Sequence, residues 1–339
     1  MKVAERPSLK KLNTFGVEAF AGLMFTLQSE EDLLSLPPFK PDRDLLLGGG
    51  SNILFASDVP GTVIRNCIRG KDVVESDNHH VRIEAGAGEI WHELVLWTIQ
   101  QGFSGLENLS LIPGFAGAAP IQNIGAYGVE LSSVLESVTA WDLKSHQWAM
   151  FSHDQCQLAY RDSIFKSGTP DRYLVTSIRL RLDRQFAPRL EYSGLREELS
   201  HQGISQPTAG QVSDAVIRLR QKKLPDPAIT GNAGSFFKNP VLTRQEGLSL
   251  QERNPELPCW PQGDDELKIS AAWLIEQCGF KGNRYGDAGV SDQHALVLVN
   301  HGNASGREIL ALATTIQSAV HSNFGVTLQP EPKVVNFPA

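Results

Sequence analysis

The residues best suited to chemistry fall into three groups. The first is Leu47-Gly48-Gly49-Gly50-Ser51-Asn52, a glycine triplet that follows the apolar run Asp44–Leu47. Glycines free to take positive φ let consecutive N–H groups point into one concavity, an anion nest suited to a pyrophosphate. A flexible turn is the competing reading. No Gly-Lys-Ser/Thr follows, so this is not a P-loop, and the Gly-x-Gly-x-x-Gly frame is also missing. The second group is Pro113–Leu131, where Pro113, Gly114, Gly117, Gly125 and Ala126 surround Gln122 and Asn123. Small residues let a planar ligand approach the main chain, and the two amides suit the polar edge of a heterocycle. The third group is scattered: Tyr160-Arg161-Asp162-Ser163, Gly231–Pro240 with Ser235 inside it, and Pro330-Glu331-Pro332. Singly these read as an ion pair, a turn hydroxyl and an exposed acid. Ser235 lacks a Gly-x-Ser-x-Gly elbow, which argues against a serine hydrolase.

These groups need elements to hold them. Thr62–Ile68, Val81–Ala85, Val134–Leu143 and Tyr173–Leu182 read as strands. The last alternates, with Leu174, Ile178, Leu180 and Leu182 expected on one face. Glu89–Gln101 reads as a helix with Ile90, Leu94, Leu96 and Trp97 on its apolar side, stopped by Gly102. A polar connector spans roughly Leu199–Gln211. Val212–Lys223 is then helical and is stopped by Pro225 and Pro227, a domain boundary. Ser270–Cys278 is a further helix, and Ser305-x-x-Glu308 is a capping box opening a long helix to Phe324, closed by Gly325. Ala295–Val299, Val326–Gln329 and Val334–Phe337 are expected strands. Interleaved strands and helices indicate an α+β chain with mixed sheets and three lobes.

Composition narrows the class. Of 339 residues, 41% are hydrophobic and 20% charged, as in an ordinary globular protein. The formal charge of −7 argues against nucleic acid or an anionic membrane as partner. The uncharged stretch Asn108–Val129 is broken by two prolines and several glycines, so it is not a membrane span. Four widely spaced cysteines suggest a reducing cytoplasm, and no metal-ligand pattern is present.

Taken together, Asn13-Thr14-Phe15, Gly48–Leu54, Gly105-Leu106-Glu107, Pro113–Leu131, Tyr160–Lys166, Lys223–Pro227, Gly231–Pro240, Ala271–Gly279, Gly286–Val299 and Leu328–Glu331 resemble the UDP-N-acetylenolpyruvoylglucosamine reductase (UDP-N-acetylmuramate dehydrogenase) family of bacterial peptidoglycan synthesis. They run in order over nearly the whole chain. Tyr192 in Tyr-Ser-Gly-Leu looks like the branch with an extra tyrosine loop over the substrate. The resemblance implies a vanillyl-alcohol-oxidase-like (PCMH-like) two-lobe FAD domain plus a C-terminal α+β substrate lobe. The expected lobes are 1–69 with 326–339, 70–225, and 226–325.

It also implies a two-step reaction. NADPH reduces bound FAD, and flavin N5 then gives hydride to the enolpyruvyl methylene carbon of UDP-N-acetylenolpyruvoylglucosamine. Arg161 would hold the substrate carboxylate as charge develops, and protonated Glu331 would donate to it. Ser235 matches the family's proton donor to the α-carbon. The flavin contacts expected are Gly48, Gly49, Gly50, Ser51, Asn52, Pro113, Gly114, Gly117, Gln122, Asn123, Gly125 and Ala126. The nucleotide-sugar contacts expected are Tyr127, Tyr160, Tyr192, Lys223, Asn239 and His294. His294 stands where relatives often carry glutamine, and Phe115–Ala119 lacks hydroxyls that relatives often have. A monomer in the cytoplasm is expected. A different second substrate, or a binding protein without turnover, are the alternatives.

Overall fold

The computed structural model describes residues 1–338, apart from the Ser193 side chain. The chain divides into two compact units. One holds Met1–Pro7, Phe20–Gly50 and Val59–Gln221; the other holds Ser8–Ala19, Ser51–Asp58 and the chain from Lys222 onward.

The first unit contains two larger sheets and a two-stranded hairpin. Lys2–Glu5, Ala21–Leu27, Val59–Asn66 and Leu45–Leu47 lie in that order, antiparallel at the first pair and parallel at the others. Asp44 starts the Leu45–Leu47 strand. Its buried carboxylate accepts from Thr62 N and Lys40 N, both at 2.7 Å. The glycine triplet therefore leaves the end of an edge strand that pairs with Val59–Asn66 and is pinned at its start by Asp44.

The second sheet is antiparallel: Gln147–Ser152, Leu135–Asp142, Tyr173–Asp183, His80–Gly86 and Lys71–Ser76. A bulge interrupts Tyr173–Asp183, because Thr139 faces Ser177 while Ala140 faces Val175. One extra residue reverses the facing of everything beyond it. Leu174 accordingly packs with Leu27, Ile64 and Trp141, whereas Ile178, Leu180 and Leu182 pack with Val81 and Ile83. The expectation of one shared face for these four residues is corrected by that bulge.

Helix α1 is Trp91–Gln100, and its buried residues are Trp91, Leu94, Val95 and Thr98. Leu96 is exposed, against expectation, because it lies off that stripe. Trp91 Nε1 donates to the Leu109 carbonyl at 3.0 Å and so anchors the start of the uncharged loop region. The polar connector is partly helical. Helix α2 is Ser193–His201 and α3 is Ala209–Lys223, joined by a core of Leu195, Leu199, Val212, Ala215, Val216 and Leu219.

In the second unit, α4 is Arg244–Arg253, α5 is Ala271–Gln277 and α6 is Gly306–Phe324. One three-stranded sheet runs Val241–Thr243, Glu266–Ile269, Cys259–Gln262, and another Arg284–Tyr285, Ala288–Val290, Leu298–Asn300. The α6 capping box forms as expected, and Gly325 closes the helix at φ 71°. Val326–Gln329 is not a strand, but Lys333–Val335 pairs in parallel with Ile53–Phe55. No helix among the described residues is long and apolar enough to cross a membrane.

Candidate active site

The glycine triplet and the loop at Pro113 meet within the first unit. A Cβ on Gly49 would stand 2.9 Å from Gly114 Cα, closer than real Cβ atoms come, so the two main chains pass each other without side chains between them. A surface made of peptide groups from two uncharged loops suits a pyrophosphate and a flat ring. Gly117 belongs to the packed floor of this region, since its N–H donates to the Ala87 carbonyl at 2.9 Å. Asn123 is different from expectation. It is fully buried, Nδ2 donates to Glu130 Oε2 and Ala159 O, and Oδ1 accepts from Ser132 N. Its amide is spent on bracing the loop and presents nothing to a ligand. Gln122 accepts from Lys166 Nζ at 3.5 Å.

Next along the loop, Gly125–Ala126 pairs with Val129–Glu130 as a hairpin. Its turn residues Tyr127 and Gly128 have φ of 49° and 81°, as a tight hairpin with two left-handed residues requires. Tyr127 is thereby presented edge-on to Tyr192, with ring centroids 5.0 Å apart. Burial pushes the Tyr127 phenol up to about 12, with Arg220 acting in the opposite sense.

Arg161 sits in a second tight turn, where Ala159 and Asp162 exchange backbone hydrogen bonds. Its φ of 55° is left-handed, which costs a non-glycine residue on the order of 1 kcal/mol. Nη2 donates to Gly125 O at 2.8 Å, and the guanidinium lies over the Tyr160 ring at 5.3 Å. A Cβ on Gly125 would come within 3.1 Å of Arg161 Nη1 and 2.9 Å of Glu130 Cγ. Glycine at that position is what leaves space for the guanidinium.

Sequence reasoning missed Arg220. It extends the Val212, Val216 row of α3 by one turn, so a charge occupies a position on the buried face; that spacing was the available signal. Its Nε is buried without a partner. Burial, and then Arg161, lower its affinity for a proton, opposed by Tyr127. Among the described residues no carboxylate pairs with it. A half-buried guanidinium with its Nε out of water and without an acid, beside a second guanidinium, is an arrangement suited to an anion.

The second unit brings Ser235 and Glu331 together through main-chain bonds. Phe236 N donates to Leu296 O at 2.7 Å, Glu331 N donates to Phe236 O at 2.8 Å, and Ser235 bridges Val297. The Gly231–Asn232 start of this loop is held by the Asn13–Phe15 segment. Asn232 N donates to Thr14 O, and Asn300 Nδ2 donates to Phe15 O. Ser51 and Asn52 belong to this unit as well. Asn52 Nδ2 reaches the Glu331 carbonyl at 3.4 Å, and Lys333 N donates to Asn52 O. Asn239 Oδ1 accepts from Ala271 N at the start of α5, which leaves its NH2 as the available edge. Lys223 is exposed at the end of α3. Burial, Lys223 and Lys281 together hold the His294 ring below its ordinary range. Among the described residues, no group of three or more His, Cys, Asp or Glu side chains could hold a metal ion.

Two family models match the chain. One, an FAD binding domain, covers residues 40–146; the other, the C-terminal domain of UDP-N-acetylenolpyruvoylglucosamine reductase, covers 226–335. A UDP-N-acetylenolpyruvoylglucosamine reductase of Chromobacterium violaceum is 46% identical over 96% of this chain and 97% of its own length. One from Pseudomonas aeruginosa is 45% identical over 98% and 99%. The crystal structure of the reductase from Thermus caldophilus superposes with a TM-score of 0.70 at 26% identity, covering 99% of this chain and all of that one.

Proposed function

Because the chain belongs to the UDP-N-acetylenolpyruvoylglucosamine reductase family, we propose that it reduces the enolpyruvyl ether of UDP-N-acetylglucosamine to UDP-N-acetylmuramate with electrons from NADPH, for peptidoglycan precursor synthesis. It is a flavoprotein oxidoreductase of α+β architecture with an FAD binding domain. The observation that carries the reading is likeness at 45–46% identity over the full length of named reductases, spanning both the flavin and the C-terminal segments.

The residues present fit FAD. Gly49 and Gly114 meet main chain to main chain with no side chain between them and each keeps part of its surface exposed, which supports a peptide cradle for phosphates, and both loops lie inside the matched flavin segment. Gly48, Gly49, Gly50, Ser51, Asn52, Pro113 and Gly114 would hold the pyrophosphate, and Gln122, Gly125 and Ala126 would line the ring. When bound, FAD supplies the hydride that is added to the substrate's methylene carbon.

This chain's own part is orientation and charge. Arg161 is proposed to grip the substrate carboxylate and to stabilise the negative charge that hydride addition creates. Glu331, protonated, donates to the same carboxylate. Ser235 gives its hydroxyl proton to the α-carbon, where a strongly basic partner makes geometry matter more than resting acidity. Lys223, Tyr192, Asn239 and the Nε2 edge of His294 are proposed to take the diphosphate and sugar, with Tyr127 and Tyr160 beside them. What supports Tyr192 in this role is its edge-on contact with Tyr127.

The reading takes one chain in the cytoplasm as its working unit. It also takes 1–69 with 326–339, 70–225 and 226–325 as the three lobes. The start of the matched C-terminal model at residue 226 supports the last boundary.

The test is anaerobic. Purified protein should carry a flavin that NADPH bleaches and that UDP-N-acetylenolpyruvoylglucosamine reoxidises stoichiometrically. Failure of the nucleotide-sugar to restore the oxidised spectrum would overturn the proposal.

A further inference from the structure

We infer that His294 is a positioning residue for Ser235: its ring Nδ1 accepts from the Leu296 N–H, and the Leu296 carbonyl holds the segment carrying Ser235. The inference rests on the proton-donor role proposed for Ser235. The geometry is a short relay through one residue. Leu296 N donates to His294 Nδ1 at 3.2 Å, while Leu296 O accepts from Phe236 N at 2.7 Å. The turn is closed by Val297 N donating to His294 O at 3.0 Å, and Val297 is the bridge partner of Ser235. A side chain that accepts from the N–H two residues on is the pattern of an Asx-turn, here made by imidazole.

Accepting that bond fixes the chemistry of the ring. Nδ1 must be unprotonated, so the neutral ring carries its proton on Nε2. The charged groups around it are Lys223, Lys281 and Glu276, and Lys281 is itself paired with Glu276 at 2.7 Å. Burial and the two lysines keep the ring neutral; Glu276 opposes them. Protonation would put a hydrogen on Nδ1 facing the Leu296 N–H, and the turn would lose its brace. The two ring nitrogens thus do separate work: Nδ1 sets the Ser235 segment, and Nε2 is left for the substrate.

Two substitutions separate these jobs, because the Asn side-chain oxygen overlies Nδ1 and the Gln amide overlies Nε2. His294→Asn should keep the rate at which saturating UDP-N-acetylenolpyruvoylglucosamine reoxidises NADPH-reduced flavin, while raising the concentration needed. His294→Gln should slow that step about 10- to 100-fold at saturation, as a sub-ångström displacement of a reacting group does. Flavin reduction by NADPH should stay normal in both. In the parent the step should slow as pH falls through the lowered ring pKa, and this limb should be missing from His294→Asn. Full rate in His294→Gln together with loss of rate in His294→Asn would overturn the inference. So would nitrogen NMR of the holoenzyme showing the His294 proton on Nδ1, a measurement that needs no substrate. If the parent flavin is not reoxidised at all, the functional reading falls instead, and the tautomer measurement still decides the ring contact.

Discussion

Glu331 N donates to Phe236 O at 2.8 Å, which ties an acid near the C-terminus to the residue that follows Ser235. The contact continues on both sides, since Phe237 bridges Pro330 and Lys238 N donates to Gln329 O at 2.9 Å. Two proposed catalytic residues therefore sit on adjoining segments whose main chains are hydrogen-bonded to each other.

Ser235→Ala should separate the two half-reactions. Flavin bleaching by NADPH should be near normal, while reoxidation by the nucleotide-sugar slows by about 10²- to 10⁴-fold, the usual contribution of a positioned proton donor. Stopped-flow absorbance of the flavin reads both phases, and an unchanged second phase would remove Ser235 from the role.

Gly49→Ala should give a folded protein that has lost most of its flavin. The new Cβ has only 2.9 Å to Gly114 Cα, and the atoms it meets are main chain, so one of the two loops must shift. The ratio of flavin to protein absorbance after purification, with circular dichroism for the fold, checks this. Parent-like flavin content would argue against these loops as the pyrophosphate site.

Arg220→Met should weaken nucleotide-sugar binding by at least about tenfold, the worth of one charge-assisted contact. Stability should hold within about 1 kcal/mol, because a half-buried charge without a carboxylate partner is replaced by an apolar chain of similar length. Titration of the flavin spectrum gives the affinity and denaturant unfolding gives the stability. A large loss of stability would mean that Arg220 is a structural residue.

Asp142 links the second sheet to acid stability. Its buried carboxylate accepts from Arg172 Nη2 at 2.7 Å and from the Lys144 and Ser145 N–H groups, and Arg172 holds it well below the usual carboxylate range. The folded pKa is depressed, so the stabilisation is present above the unfolded value of about 3.9 and is lost as pH falls through the lower folded one. Asp142→Asn should cost about 1–3 kcal/mol at neutral pH, less whatever solvent screening removes at the half-exposed Arg172. The difference from the parent should shrink below pH 3 in urea unfolding.

The local elements were legible where one residue type dictates one geometry. Ser305 and Glu308 announce the start of α6, and Gly325 its end, because a cap and a left-handed stop depend only on neighbours in sequence. The strand around Tyr173–Asp183 was legible in its extent but not in its facing, because the Thr176 bulge answers to the Leu135–Asp142 partner. Arg220 was overlooked for the same reason. A charge on a helix reads as solvated until the packing shows which stripe is buried. Asn123 shows the opposite case: its amide looked free in the sequence, and in the fold it is engaged by Glu130, Ala159 and Ser132.

By itself, then, the sequence determined the chemistry on offer: uncharged glycine loops for an anion, a guanidinium, a hydroxyl and an acid, in the order that the reductase family carries them. Those are properties of residue types and of short runs, and they survive without a fold. Only the tertiary structure decided which groups are free to act. Gly125 makes room for Arg161, Leu296 connects His294 to the Ser235 segment, and Glu331 is tied to Phe236 across most of a hundred residues. A hydrogen bond is settled by a distance and a direction between segments, and neither quantity is written in the spacing along the chain.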